Sequence, residues 1–524
     1  MVVSRTGVVA TESPLAAQAG AMILAEGGSA VDAAIAANAV MGLVAPHSNG
    51  LGGDMFAIVY EAASGRYIGL NASGWSPQSL TIEKIRSLRV KEMPRKGIHS
   101  VSVPGVVDGW AMLAQRFGKL GLRKLLKPTI KLCEEGFAVA ERSASRWKDF
   151  APELTGYGRE IFLRDGRSPS VGEVVSNHEL AWSLQQIAEQ GRDAFYQGEI
   201  AQRILALSNE LDGTLSAEDL SLYQSHWVEP IETTYRGWRV LELPPNGAGI
   251  AALLMLNIME QFPIPEYGAS SYEALHVMIE AKKLAYADML RYVCDFDVQE
   301  FPCEFLLSKD YAKKRSSLIR PGQVLQAAEP GQPLSREGDT IYVSASDRDG
   351  NVVSLIQSNF MAFGSGLVAP GTGFVLQNRG HLFSLDPSHP NALAGRKRPL
   401  HTIIPAFLLK DEMRIAFGIQ GGWNQAQAHA QFVSNVVDHG MNVQAAMEAP
   451  RFTKLSFAGV DVQLEARVPA TVVANLVGLG HDVRMDVPYS ENMGGGQAVL
   501  HESGTGVSYG ASDPRKDGSA VPAP

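Results

Sequence analysis

Cysteine is scarce in this chain: Cys133, Cys294 and Cys303 are the only three among 524 residues. They are too few and too scattered for a disulfide framework or a CxxC metal knuckle, so buried free thiols are the expected state. Long apolar runs are missing as well. No stretch reaches the roughly 18 apolar residues of a bilayer-spanning helix. The opening MVVSRTGVVATESPLAAQAG has neither an uninterrupted apolar segment nor a small-residue cleavage site, which reads as a cytoplasmic protein with no membrane partner. There is no basic run, and a net charge of −9 with a pI near 5.8 argues against nucleic acid or an anionic membrane surface. The twelve histidines show no H-E-x-x-H or similar spacing, so no metal and no cofactor is expected. Internal repeats and low-complexity segments are also absent.

What remains is an ordinary globular composition, 45% hydrophobic and 19% charged, with 52 glycines that imply many tight turns. The length allows two or three average domains or one large layered α/β unit. Residues 14–26 and 30–44 carry apolar residues at helical spacing, with Gly27-Gly28 as a stop between them. Thr11 or Ser13 could cap the first of these helices. Residues 105–117, 180–189, 250–261 and 271–292 also read as helices, and 55–60 as a strand. The stretch 316–338, punctuated by Pro321, Gly322, Gly331, Pro333 and Gly338, reads as an exposed connection. Immediately after it, 341–346 and 352–356 flank an Asp-Gly turn at Asp349-Gly350, a strong hairpin signal. Short strands are expected at 413–417, 498–501 and 507–509.

The change of character at residue 340 is the informative feature. A polar connection ends at Gly338-Asp339, and Thr340 opens a hairpin. A Thr at a strand start is unremarkable taken alone. The surrounding motifs change its meaning: Gly338-Asp339-Thr340-Ile341-Tyr342, then VSASDRDGNVVSLIQSNF, FGSGLVAPGTGFVLQNRG, RKRPLHTIIP, GIQGGWNQ, GMNVQAAMEAPRF and YGASDPR. Earlier in the chain stand GSAVDAAIAANAV, the GLGGD loop, Val103-Pro104-Gly105, PPNGAGIAALLMLNI and EALHVMIEAKKLAYAD. In this order they resemble the gamma-glutamyltransferase family over nearly the whole chain. The resemblance implies an N-terminal-nucleophile hydrolase with a four-layer αββα sandwich built from one self-cleaved precursor. Cleavage between Asp339 and Thr340 would give a large subunit, 1–339, and a small catalytic subunit, 340–524, paired as a heterodimer and open to further pairing as a heterotetramer. Thr340 would then supply the nucleophile and, through its α-amine, the base. Ser358 matches the hydroxyl that orients the nucleophile, and Gly421-Gly422 the pair whose N–H groups hold the oxyanion.

The resemblance breaks at substrate recognition. Ser73 stands where the family has the Arg that grips the glutamyl carboxylate. Leu382 takes the place of the acidic residue for the α-amine, Arg379 replaces a Gln, and His401-Thr402 replace a Ser-Ser pair. A substrate ammonium loses its partner, while Arg379 brings a group suited to a carboxylate. The expected substrate is a small anionic amide without an α-amine, oxamate for example, bound by Arg379, His401, Thr402 and Ser73. A surface or interdomain salt bridge is the alternative for Arg379. At the level of function, the competing readings are a gamma-glutamyltransferase or glutathione hydrolase, a cephalosporin (glutaryl) acylase, and an inactive binding scaffold. Ser145-Arg146-Trp147-Lys148 fits the S-x-x-K pattern of penicillin-recognising enzymes but lacks partner motifs, and Asn49–Gly53 lacks the G-K-[ST] of a P-loop.

Overall fold

The computed structural model describes residues 1–298, 300–326 and 339–524. Two seven-stranded sheets form its centre. In the first, the strand order is Ser519–Pro522, Gly7–Thr11, Asp339–Asp347, Val352–Phe360, Asp54–Glu61, Arg66–Ala72 and His226–Val228. In the second it is Val2–Ser4, Val507–Ser512, Gly496–Glu502, Met413–Ile419, Ala406–Lys410, Trp238–Glu242 and Ile231–Tyr235.

Period-two patterning explains how the sheets stack. Along the central hairpin, Ile341, Val343, Ala345, Val353 and Leu355 face one way, into a core shared with the helices Pro14–Ala25, Ala30–Val44 and Val106–Phe117. Tyr342, Val352 and Ile356 face the other way and meet Leu241, Phe407 and Ala416 of the second sheet. The far side of that second sheet is covered by Gly249–Met259, Tyr272–Tyr292 and Gln425–Val437. The layers are therefore helix, sheet, sheet, helix, a four-layer αββα sandwich.

The hairpin is longer than its sequence signal. It runs Asp339–Asp347 and Val352–Phe360, with an irregularity in pairing between Asp339 and Ile341. Asp347 closes the turn by accepting from the backbone N–H groups of Asp349 and Asn351. The expected hydroxyl cap on the first helix is not formed. Ser13 sits at the cap position without a side-chain bond, and Thr11 Oγ1 instead donates to Tyr342 O at 2.8 Å, tying that segment to the central hairpin. Cys133 and Cys294 are buried and, like the half-buried Cys303, outside any disulfide. Most of the expected connection, 327–338, lies outside the described residues, and Gly338 with it. No helix among the described residues is long and apolar enough to cross a membrane.

Candidate active site

Thr340 lies fully buried at the start of the central hairpin. Its hydroxyl donates to Ser358 Oγ at 3.3 Å, and Ser358 Oγ also accepts the N–H of Phe360 at 2.7 Å. A second contact was not foreseen from sequence. Gln425 Nε2 donates to Thr340 Oγ1 over a long 3.5 Å, while Gln425 Oε1 accepts from Ile404 N–H. Gln425 is the first residue of the helix Gln425–Val437, so the positive end of that helix's dipole begins beside the Thr340 hydroxyl.

Gly421 and Gly422 form the turn that leads into this helix from the strand Met413–Ile419. Their φ angles are 131° and 55°, a region that side chains disfavour, which is a physical reason for glycine here. The pair thus lies three and four residues before Gln425, the group that touches Thr340.

Arg379 is fully buried, which excludes a surface salt bridge, and the buried acid it faces, Asp54, lies on the other side of the Asp339–Thr340 bond. Its guanidinium lies 4.5 Å from the centroid of the Phe360 ring, two residues beyond Ser358. Phe360 itself adopts a φ of 76°, unusual for a bulky side chain. Arg379 Nη1 donates to Thr402 Oγ1 at 2.8 Å, but Nε and Nη2 have no hydrogen-bond partner among the described residues. Those two nitrogens form one edge of the guanidinium, with parallel N–H bonds at the spacing of a carboxylate's two oxygens. An orphaned donor pair of this kind is costly to bury.

The group that faces Arg379 is Asp54, the last residue of the GLGGD loop and the cross-strand partner of Ser358 in the ladder. Asp54 Oδ1 accepts from Gly74 N–H, Gly105 N–H and Gln377 Nε2, and Oδ2 pairs with His401 Nε2 at 3.0 Å. The glycine at 74 is required by space, since a Cβ there would stand 1.5 Å from Val103 O. Burial raises the Asp54 carboxyl to about 7 against the opposing pull of Arg379 and its hydrogen bonds. Burial lowers Arg379 to about 9, with Asp54 opposing. Burial and the nearby guanidinium hold His401 well below its usual range, so it is neutral. Its Nδ1 is 3.5 Å from Ile403 N–H, which leaves the proton on Nε2, pointing at Asp54.

Two of the expected substrate contacts have protein partners in this arrangement. His401 has its Nε2 engaged by Asp54 rather than offered to a ligand. Ser73 Oγ donates to Asn71 Oδ1 at 2.6 Å and accepts from Asn246 Nδ2 at 3.2 Å, so its hydroxyl is occupied within a polar cluster beside Asp54. Thr402 steadies Arg379. Leu382 is buried in the apolar core. In the sequence Asp54 is visible only as the acidic end of the GLGGD loop, which by itself points to no partner.

Two other features lie apart from this constellation. His276, Glu280 and His481 bring potential ligand atoms within 4.8 Å of one another. Most of their atoms are matched: His276 Nδ1 and His481 Nε2 bond each other, and Glu280 takes Lys283 Nζ and Leu325 N–H, while His481 Nδ1 has no partner among the described residues. Ser145 and Lys148 are exposed on the helix Glu141–Phe150.

Known proteins share this architecture and sequence. The "Glutathione hydrolase-like YwrD proenzyme" of Bacillus subtilis is 35% identical over 99% of both chains. The "Oxamate amidohydrolase proenzyme" of Klebsiella pneumoniae is 32% identical, again over 99% of each. Among solved structures, a cephalosporin acylase from Bacillus halodurans matches with a TM-score of 0.93 and 43% identity, covering 99% of this chain and 96% of that one. The Gamma-glutamyltranspeptidase family pattern matches residues 16–523. The chain is therefore an enzyme of the gamma-glutamyltranspeptidase family, whose relatives hydrolyse or transfer acyl groups and are made as proenzymes.

Proposed function

We propose that this protein is a self-cleaving amide hydrolase in which Thr340 is the N-terminal nucleophile and a small amide with a free carboxylate, oxamate being the simplest, is the substrate. The observation that carries the substrate class is the empty Nε–Nη2 edge of buried Arg379, held near Thr340 by two short routes. One runs through Phe360 and Ser358, the other through Thr402, Ile404 and Gln425. The nearby acid does not favour an α-ammonium. Asp54 already accepts four hydrogen bonds and faces Arg379.

The chemistry follows from the groups. In the precursor, Thr340 Oγ attacks the carbonyl carbon of Asp339, the peptide C–N bond breaks, and the hydroxyl proton passes to the departing amine. Water then cleaves the ester, leaving a carboxylate on Asp339 and a free hydroxyl and α-amine on Thr340. That amine, with an ordinary pKa of about 7.7–8.0, can take the hydroxyl proton when Oγ attacks the substrate amide, and return it to the leaving nitrogen. Gly421 and Gly422 N–H groups, at the start of the helix dipole, are suited to the developing oxyanion. Water attack on the acyl-enzyme completes the cycle.

A glutaryl amide carries the same terminal carboxylate without an α-amine, and the likeness to a solved cephalosporin acylase favours it as the second reading. The test has two parts. Intact mass should show wild-type protein as fragments 1–339 and 340–524, and Thr340→Ala as one chain. A panel of oxamate, glutaryl and γ-glutamyl amides should then be turned over in favour of those lacking an α-amine. An uncleaved yet active wild type defeats the mechanism, and efficient γ-glutamyl turnover defeats the substrate class.

A further inference from the structure

The buried charges around Arg379 are balanced before any substrate arrives. Arg379 contributes one positive charge and Asp54 one negative. The other groups against Asp54 are neutral: His401, the Gln377 amide, the N–H groups of Gly74 and Gly105, and Tyr223, whose phenol is held far above its usual range. All of these side chains are buried. A substrate carboxylate on the free edge of Arg379 therefore adds an uncompensated negative charge to a site with no bulk water to screen it. Two carboxylates sharing one guanidinium in such a place cannot both stay ionised cheaply.

We propose that Asp54 is a specificity-determining positioning residue: the substrate carboxylate is bound together with one proton, which the Asp54–His401 pair takes up. In balance, ionised Asp54, neutral His401 and cationic Arg379 combine with a carboxylate and a proton from solvent. The complex holds the carboxylate on Arg379 and the added proton on the Asp54 carboxyl, beside His401, whose Nε2 already carries its own proton. No bond other than to hydrogen forms or breaks. This inference rests on the reading of Arg379 as the carboxylate anchor.

The direction of the pH effect is fixed by the free-state titration. Asp54 is raised to about 7, so at lower pH the pair already carries the proton and anion affinity is flat. At higher pH the proton must be drawn from solvent, and affinity should fall about tenfold per pH unit. A neutral ligand of the same shape gains nothing from the proton, so the pair favours one negative charge and resists two.

The test is titration calorimetry of the cleaved wild-type enzyme with glycolate, a monocarboxylate with no amide to cleave. Runs in buffers of different ionisation enthalpy count the protons. Uptake approaching one proton per glycolate above neutral pH, with a new protonated-carboxyl band in infrared difference spectra, is the expected result. Asp54→Asn should bind glycolate more tightly than wild type at alkaline pH, with no uptake and a flat pH profile. Persisting uptake in Asp54→Asn would move the proton to another group, the Thr340 α-amine first, and overturn the assignment. Binding by wild type with neither uptake nor a carboxyl band overturns the inference and leaves Arg379 as anchor. No glycolate binding at any pH removes the anchor itself. Should Asp54→Asn not fold, the wild-type proton count and infrared band still decide the matter.

Discussion

Arg379 was legible as a residue but not as a geometry. Its replacement of a family Gln marked it in the sequence, yet only the structure shows that one edge is paired with Thr402 while the other is unpartnered. Arg379→Ala removes a charge-assisted bidentate contact of about 1.5–3 kcal/mol, and kcat/KM for an anionic amide should fall by roughly one to two decades. Arg379→Lys should recover little of this, because an ammonium cannot present two parallel N–H bonds. Both variants should still cleave at Thr340, since that step uses the backbone carbonyl of Asp339. Steady-state kinetics beside intact mass checks the claim. An unchanged kcat/KM in Arg379→Ala would make the residue part of the scaffold. Asp54 and Gln425 escaped sequence reading for a different reason. Asp54 is defined by partners at 74, 105, 377 and 401, and Gln425 by Thr340 and Ile404, and no local spacing announces contacts so distant in sequence.

Elements, by contrast, were largely written in the pattern. The helices Ala30–Val44, Val106–Phe117 and Tyr272–Tyr292 fall within a residue of their apolar periodicity, and the hairpin follows its Asp-Gly turn. The second hairpin strand runs past its expected end at 356, because Gln357, Ser358 and Phe360 continue the ladder. What the pattern could not tell is how closely the two sheets approach. Gly418, on Met413–Ile419, lies where a Cβ would stand 2.3 Å from Cδ2 of Tyr342 on the opposite sheet. Tyr342 is wedged there with its hydroxyl sharing a 2.7 Å hydrogen bond with Ser354 Oγ. Gly418→Ala should push that ring and cost about 1–3 kcal/mol in overpacking. Because Tyr342 is two residues from Thr340, self-cleavage should slow as well. A denaturant midpoint and a cleavage time course report the two effects, and a variant equal to wild type in both would show that the sheets separate freely.

At the scale of the whole molecule, cleavage before Thr340 would cut a chain whose halves are interleaved. In the first sheet the hairpin Asp339–Asp347 and Val352–Phe360 lies between Gly7–Thr11 and Asp54–Glu61. In the second, Val507–Ser512, Gly496–Glu502, Met413–Ile419 and Ala406–Lys410 are flanked by Val2–Ser4 on one side and Trp238–Glu242 on the other. Neither 1–339 nor 340–524 holds either seven-stranded sheet whole, and each alone would expose unpaired strand edges together with the apolar face that Phe56, Tyr342 and Phe407 now share. Asp54 strengthens the same seam, since it accepts from Gly74 and Gly105 of one fragment and from Gln377 and His401 of the other. The cleaved enzyme should therefore elute as one species containing both fragments and unfold in a single cooperative transition. Fragment 340–524 made alone should show no such transition and should aggregate. Size-exclusion chromatography without denaturant, followed by circular dichroism on heating, makes the comparison. Release of the small fragment under native conditions, or its folding alone, would mean that the seam contributes far less than the shared sheets and the Asp54 network require.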